Sequence, residues 1–436
     1  MQAETYQEYI NWLYGLQRFG IKLGLEKISL LLEDIDNPHR QYPVIHIAGT
    51  NGKGSVASMI ASVLQTLGLK TGLYTSPHLV RFTERIKIDG REIPEEEVVR
   101  YSEKIQPGVD SLRATFFEAT TAIAMQYFAD KDVDVAVLET GLGGRFDATN
   151  VVTPVLSVIT SVGLEHQKYL GRTLARIAYE KGGIIKENIP VVSGVQSARA
   201  VEVLQQVAFY KQAPFIEVNP HATAVLLEKD LEKSVVDMFF PDAIQYEEIT
   251  IGLPGLYQIQ NALIAVRALD VLRGRIKNAE KIWNITDEHV RYGLEKVAGL
   301  TGIRGRMQLV QHQTGRFMVD AAHNPGAIRE LVRALTELGY TNIPVILGVL
   351  DDKDVKSMMK ILSKIARVMY FVQPNNERAV KTEKLREMAK GIFFPVVASG
   401  SVPDGIHMIS SKIKEEDLIL ITGSHFVVGE ALEILE

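Results

Sequence analysis

The seven residues Gly49-Thr50-Asn51-Gly52-Lys53-Gly54-Ser55 join glycines, hydroxyls, an amide and one lysine, a set suited to holding an anion. They follow an apolar run, Pro43 to Ala48, that reads as a buried strand. They precede a helical period marked by Val56, Ile60, Val63, Leu64 and Leu67. In such a strand–turn–helix, the glycines let backbone N–H groups converge on a phosphate. The helix N-terminus adds partial positive charge, and Lys53 adds a full one. The spacing departs from GxxxxGK[ST]: Gly54 separates Lys53 from Ser55, and no glycine sits five positions before Gly52.

Three more polar groups follow strand-like runs. Ser76 comes after Lys70–Tyr74, Glu139 after Val133–Leu138, and His166 after Pro154–Val162. Open α/β sheets bind ligands beyond the carboxyl ends of their strands, so these groups and the phosphate loop are expected at one crevice. A hydroxyl, a carboxylate and an imidazole suit Mg²⁺ or Mn²⁺ better than zinc, because oxygen ligands dominate. Each alone has an ordinary reading, as a turn serine, a strand-end glutamate or a loop histidine. Leu174, Ile177, Ala178 and Lys181 are spaced i, i+3, i+4, i+7, which turns Lys181 toward the apolar face. A lysine there either finds a buried partner or packs its stem and snorkels outward.

The elements that must position these groups alternate strand and helix. Residues 5–35 read as helices broken at Gly20 and Gly24, and Pro94-Glu95-Glu96-Glu97 and Thr115-Phe116-Phe117-Glu118 open further helices. Residues 220–252 are rich in β-branched and aromatic residues and read as a small antiparallel insertion; Gln258–Leu272 reads as a helix. Gly299, Gly302 and Gly305 mark a hinge. A second alternating unit follows, with strand-like runs at Phe317–Val319, Val345–Leu350, Val368–Val372, Pro395–Ala398 and Leu418–Thr422. The expected fold is α/β: a P-loop-type, mostly parallel sheet domain over 1–298, a linker over 299–306, and a smaller Rossmann-like domain over 307–436 that brings a second substrate.

The composition narrows the partners. A net charge of −5 supplies no global field for nucleic acid or anionic lipid. With no cysteine there is no disulfide, thiolate nucleophile or Cys-based zinc site, which fits a cytoplasmic enzyme. The N-terminus lacks a basic-then-apolar leader pattern, and no apolar run approaches the ~18 residues of a membrane span. A phosphate loop, metal-type residues and a hinged second domain leave two catalytic classes open: a phosphoryl-transferring NTPase or kinase, and an ATP-dependent ligase. The two-domain layout favours the ligase, in which a carboxylate becomes an acyl phosphate and an amine then attacks it. It disfavours a non-catalytic nucleotide switch.

GTNGKGS (49–55), SPHL (76–79), TFFE (115–118), ETGLGGRFDATN (139–150), GLEHQKYLG (163–171), EKGGIIK (180–186), DAAHNP (320–325), GVLDDKD (348–354) and TGS (422–424) occur in this order. Together they resemble folylpolyglutamate synthase, including its bifunctional form that is also dihydrofolate synthase, within the Mur ligase superfamily. The resemblance implies ATP as co-substrate, held by Thr50, Asn51, Gly52, Lys53, Gly54 and Ser55, with Asn261 on the adenine side and Arg306 and Asp320 from the linker and second domain. It implies two Mg²⁺ sites, one at Ser76 and Glu139 and one at Glu139, His166 and a carbamylated Lys181. Partial burial would favour the neutral amine that carbamylation needs. A pterin pocket would draw on Ile21, Lys22 and Leu23, on Thr115, Phe116, Phe117 and Glu118, and on Phe146, Asp147 and Ala148. His323 and Ser424 would serve the glutamate site, and Lys53, Lys181 and His323 form the expected catalytic set.

Three positions depart from the family pattern. Glu165 stands where Asp is common, Tyr257 where His is usual, and Ala321 where Gly is frequent. The expected activity is addition of L-glutamate to the glutamyl carboxylate of a reduced folate, and also to dihydropteroate. The alternatives are a polyglutamate synthase alone, a cell-wall Mur ligase, and a plain ATPase. The expected partners are these small molecules, with no nucleic acid and no membrane, and the chain is expected to be a monomer.

Overall fold

The computed structural model describes residues 2–436 except 21, 23, 242–244, 274–276, 279–280, 393–394, 411 and 413–416. The first sheet is built from β1 (Val44–Ala48), β2 (Thr71–Tyr74), β3 (Ile86–Ile88), β4 (Arg91–Glu92), β5 (Val135–Glu139), β6 (Leu156–Ile159), β7 (Val191–Ser193) and β8 (Phe215–Glu217). Their order is β4-β3-β2-β5-β1-β6-β7-β8, parallel throughout except at β2–β3 and β3–β4. The inner strands β1, β5 and β6 are buried at every position, as a parallel sheet covered by helices on both faces requires. One face packs the helices Lys53–Thr66 and Leu256–Leu272. The other packs the N-terminal helices together with Glu95–Leu112 and Phe116–Asp130.

The strands that end in the phosphate loop, Ser76, Glu139 and the 160–166 loop are β1, β2, β5 and β6. They are four consecutive neighbours in the order β2-β5-β1-β6. Their carboxyl ends therefore line one edge. The loop after β5 folds back onto the end of the helix Leu174–Lys181, with the Arg145 amide donating to the Glu180 carbonyl at 2.7 Å. A Cβ at Gly183 would lie 2.3 Å from the Arg145 Cα, so only glycine permits this approach.

The insertion is antiparallel, β9 (Thr223–Lys229), β10 (Ser234–Phe239) and β11 (Gln245–Ile251) in the order β11-β10-β9. A two-residue pair follows, β12 (Lys277–Asn278) and β13 (Lys281–Ile282). The second sheet comprises β14 (Gln308–His312), β15 (Gly315–Asp320), β16 (Ile343–Leu347), β17 (Ala366–Val372), β18 (Val396–Gly400) and β19 (Leu418–Thr422) in the order β14-β15-β19-β16-β17-β18. Only β14–β15 is antiparallel. Two hairpins were not expected from the sequence: β3–β4, which caps the edge of the first sheet, and β14, which makes β15 the second strand of its domain rather than the first. Both include short strands, the three-residue β3 and two-residue β4 and the mixed β14, too brief to stand out as apolar runs.

The two sheets meet through the 299–306 segment. Gly302 is left-handed at φ +61° and ends the helix Val297–Thr301. The Lys87 amine of β3 donates to the Thr301 and Gly302 carbonyls at 3.0 and 2.9 Å. Gly305, at φ +66°, packs against Leu79 and Val428, bringing the loop after β2 against the C-terminal helix His425–Leu435.

His46 lies in the middle of β1, fully buried, with Nε2 2.8 Å from the Thr149 hydroxyl; burial lowers its pKa to about 3. His39 is lowered to about 4 for the same reason. As pH falls below the ordinary histidine value of ~6.5, the unfolded chain binds protons that the folded chain refuses. The associated stability is complete above that value and is lost toward the folded ones. We expect His46→Gln to reduce the pH slope of the unfolding free energy by ~1.4 kcal/mol per pH unit between about pH 4 and 6, read from urea titrations. A slope equal to wild type would contradict this account.

Candidate active site

The phosphate loop is a scaffolded turn. Gly52 is left-handed at φ +86°, and a Cβ there would meet the Asn261 amide oxygen at 2.4 Å. Thr50 and Asn51 are tied to the loop after β6: the Gly163 amide donates to the Thr50 hydroxyl at 2.9 Å, and the Asn51 amide to the Ser161 hydroxyl at 2.9 Å. Lys53 begins the helix Lys53–Thr66 and turns its amine back, donating to the Gly49 carbonyl at 3.1 Å. Ser55 is buried within the first turn of that helix.

Glu139 is the chemical centre of the arrangement. It is 4 % exposed, accepts from the Ser76 amide at 3.1 Å, and lies 3.9 Å from the Lys53 amine. Burial pushes its carboxyl up from the ordinary value; Lys53, the Ser76 amide, Arg306 and Arg85 pull it back. A buried carboxylate with its nearest cation at that distance is under-compensated. Among the described residues no three His, Asp or Glu side chains converge as a ready metal cage. Mg²⁺ usually takes only one or two carboxylates and completes its shell with water and substrate phosphate. The Ser76 hydroxyl and the Glu139 carboxylate beside a phosphate loop therefore fit a divalent ion bound together with a nucleotide.

Lys181 is 1 % exposed and pairs with Glu165 at 2.8 Å. Burial lowers the amine to about 8, while the pair holds Glu165 at about 2 against the cost of its own burial. His166, beside Glu165, is exposed and left-handed at φ +45°. Lys181 thus resolves as a paired buried lysine, its partner being the residue that precedes His166 in the chain.

The second domain closes the cleft. A Cβ at Gly54 would come within 3.8 Å of the Arg306 guanidinium. Asp320 accepts from the Met307 amide at 2.8 Å, the Ala322 amide at 2.8 Å and the Tyr257 hydroxyl at 3.1 Å, so its carboxylate ties the helix Leu256–Leu272 to the start of the second sheet. The Asn324 amide donates to the Asn51 side chain at 2.9 Å, joining the domains directly at the phosphate loop. The His323 Nδ1–H donates to the Ala321 carbonyl at 2.9 Å, and its ring lies 5.1 Å from that of His425. Burial holds His323 neutral, lowered to about 4. Ser424 is buried, and its hydroxyl caps the C-terminal helix at Val427. Asn261 donates to Gln258 at 2.8 Å on the helix Leu256–Leu272.

Of the residues expected at a pterin pocket, Ile21 and Leu23 lie outside the described residues. Lys22 is exposed, its amine 5.3 Å from the Phe19 ring. Thr115 and Glu118 form a reciprocal helix cap, and the Asp147 carboxylate accepts from Leu142 and Thr149. Ala148 is buried. Phe116, Phe117 and half-exposed Phe146 remain as apolar faces. Two groups not assigned from the sequence bear on the cleft: His425, which lines it with Ser76, Glu139 and Arg306, and Lys353, which pairs with Asp352 at 2.9 Å and whose charge acts on His166, His323 and His425. Both follow strand ends of the second sheet, the same signal that marked Glu139.

Residues 47–269 match the model of the Mur ligase middle domain, and residues 305–425 that of the Mur ligase glutamate ligase domain. The chain is 36% identical over 434 residues to the dihydrofolate synthase/folylpolyglutamate synthase of Bacillus subtilis (strain 168), covering 98% of each. The chain belongs to the Mur ligase family, in its folylpolyglutamate synthase/dihydrofolate synthase branch. The Mycobacterium tuberculosis folylpolyglutamate synthase complexed with ADP superposes on this Mur ligase with a TM-score of 0.90, at 30% identity over 100% of this chain and 99% of that one. The Thermotoga maritima folylpolyglutamate synthase gives 0.85 at 33% identity, over 100% and 97%. This is the mixed α/β, two-domain architecture expected from the sequence.

Lys53→Ala removes the only full positive charge of the loop and the nearest cation to Glu139. ATP affinity, measured by calorimetry with Mg²⁺, is expected to fall at least about tenfold. Affinity within twofold of wild type would show that the loop does not hold the nucleotide phosphates.

Proposed function

We propose that this Mur ligase phosphorylates the carboxylate of a folate-type acceptor with ATP and then joins L-glutamate to it through an amide bond. It would use both reduced folates and dihydropteroate. The observation that carries the reading is the convergence of the phosphate loop, the Ser76–Glu139 corner, the linker cation Arg306 and the second domain's His425 on one cleft. The bifunctional names of relatives such as that of Bacillus subtilis support the breadth of acceptor.

In the first step an acceptor carboxylate oxygen attacks the γ-phosphorus and the bond to ADP breaks. Lys53 and the loop amides hold the phosphates, while Arg306 approaches the same loop from the linker. In the second step the glutamate nitrogen attacks the acyl carbon, phosphate leaves, and the nitrogen gives up its proton. His323, kept neutral by burial and with Nδ1–H directed at Ala321, presents Nε2 as an acceptor near the site of this attack. Divalent ions, when bound, neutralise the phosphate charge and polarise the transferring group. Ser76 and Glu139 would hold the first, and Glu139, His166 and Lys181 the second, as Mg²⁺ or Mn²⁺.

Lys181 would serve that second site as a carbamate, formed when its neutral nitrogen attacks CO₂ and loses a proton. An amine lowered to about 8 is neutral in about one molecule in five near pH 7.4, against about one in a thousand for an ordinary lysine. The hinge would run over 299–306, with the glutamate-binding domain from 307, His323 and the Ser424 turn facing glutamate. No helix among the described residues is long and apolar enough to cross a membrane, and the acidic net charge offers nothing to nucleic acid. A cytoplasmic monomer is the state we propose.

The test is ATP turnover with Mg²⁺ and L-glutamate, offered dihydropteroate, tetrahydrofolate or no acceptor, with products identified by mass. A glutamyl increment on both acceptors is expected. An increment on tetrahydrofolate alone would restrict the enzyme to polyglutamylation, and ADP release indifferent to acceptor and glutamate would overturn the ligase reading. For Lys181, we expect Lys181→Ala to lose at least about 100-fold in turnover and to regain part of it with added short carboxylic acids. Full activity of that variant would exclude the carbamate.

A further inference from the structure

Arg85 closes the short turn Phe82–Arg85 ahead of β3 and is 7 % exposed. A buried guanidinium ordinarily has a carboxylate or several carbonyls to offset its desolvation. Neighbouring Lys87, equally buried, has two carbonyls. Among the described residues Arg85 has no ion-pair partner, and its one side-chain hydrogen bond runs from Nε to His78 Nδ1 at 2.7 Å. That bond fixes the histidine tautomer: His78 accepts at Nδ1 and carries its proton on Nε2, 3.3 Å from the Tyr14 hydroxyl. The guanidinium lies 5.2 Å from the Phe116 ring centroid, and Tyr14 and Phe82 pack on the same ring. The cation is therefore held in place on three sides, with both terminal nitrogens uncommitted.

Its position relative to the reacting corner is fixed by the backbone. The Arg85 carbonyl accepts from the Thr75 amide at 3.0 Å, and the next residue, Ser76, donates its amide to Glu139. A planar fork of unpaired donors beside a phenylalanine face matches a carboxylate carried on an aromatic group.

We propose that Arg85 anchors the terminal carboxylate of the acceptor, with the adjoining aryl portion on Phe116 and the carboxylate turned toward the Ser76–Glu139 corner. The proposal rests on the folate-acceptor reading and assigns a specificity-determining residue within it. Glu139 and Glu84 act on Arg85 from a distance but neither is an ion-pair partner, and the acceptor supplies the anion in contact. An acceptor lacking that anion leaves the buried cation unpaired and is rejected.

The experiment compares equilibrium binding of dihydropteroate and of its analogue with hydrogen in place of the carboxylate. The proteins are wild type, Arg85→Gln and Arg85→Lys, each with ADP and Mg²⁺ present. Wild type is expected to prefer the carboxylate compound by at least about tenfold. In Arg85→Gln the preference falls to about twofold or less, in Arg85→Lys it is intermediate, and ADP affinity stays at the wild-type value in both. A general loss of packing would weaken both ligands together and leave their ratio intact. An undiminished ratio in Arg85→Gln overturns the proposal. Should Arg85→Gln fail to bind ADP, an undiminished ratio in Arg85→Lys does so. A wild-type protein that binds ADP but neither pterin compound overturns the folate reading itself, a result separable from failure of the Arg85 assignment.

Discussion

The structure depends on a carboxylate held where a carboxylate is costly. Glu139 ends a strand buried on both faces, under-compensated by Lys53 and one backbone amide. Much of what surrounds it moderates that cost without cancelling it. Lys53 divides its amine between Glu139 and the Gly49 carbonyl; Arg306 and Arg85 act from the linker and from β3's edge. Full pairing inside the protein would leave nothing for a cation or a phosphate to add. Partial pairing makes ligand binding the event that completes the electrostatics.

The two-domain layout follows from the same need. The first sheet supplies a loop, the Ser76 hydroxyl, the Glu139 carboxylate and the Glu165–His166 loop at four neighbouring strand ends. The second supplies Lys353 and the histidines His323 and His425, held neutral among cations. Contact between the domains is specific: Asn324 to Asn51, Asp320 to Tyr257, Lys229 to Glu337, and Leu79 packed against the second-domain core, while Lys87 holds the Thr301 and Gly302 carbonyls. Such contacts fix register at the phosphate loop while leaving most of the cleft to substrate.

Much of this was legible in the sequence because it depends on period and strand ends. The buried runs before Gly49, Ser76, Glu139 and His166 were apolar enough to mark the sheet, and adjacency of those strands follows from the fold. The inward turn of Lys181 was visible in its helical spacing, but its partner Glu165 was not, since that contact joins a loop to a helix. Thr115, Glu118, Asp147 and Ser424 carry polar atoms that the chain uses locally. The Thr-x-x-Glu spacing at 115–118 is a capping-box signature, so this cap was legible in the sequence. Arg85 was silent in the sequence. Nothing in its local pattern shows that neither Glu84 nor Glu139 comes within ion-pair distance of it.

Formation of an acyl phosphate from the acceptor carboxylate can be read with dihydropteroate carrying ¹⁸O in both carboxylate oxygens, turned over with ATP, Mg²⁺ and L-glutamate. If the carboxylate attacks the γ-phosphorus, one labelled oxygen leaves with phosphate at every amide bond formed. The account predicts singly labelled inorganic phosphate in equal amount to glutamylated product. Amide formation with unlabelled phosphate would contradict it and require activation of the carboxylate by another route.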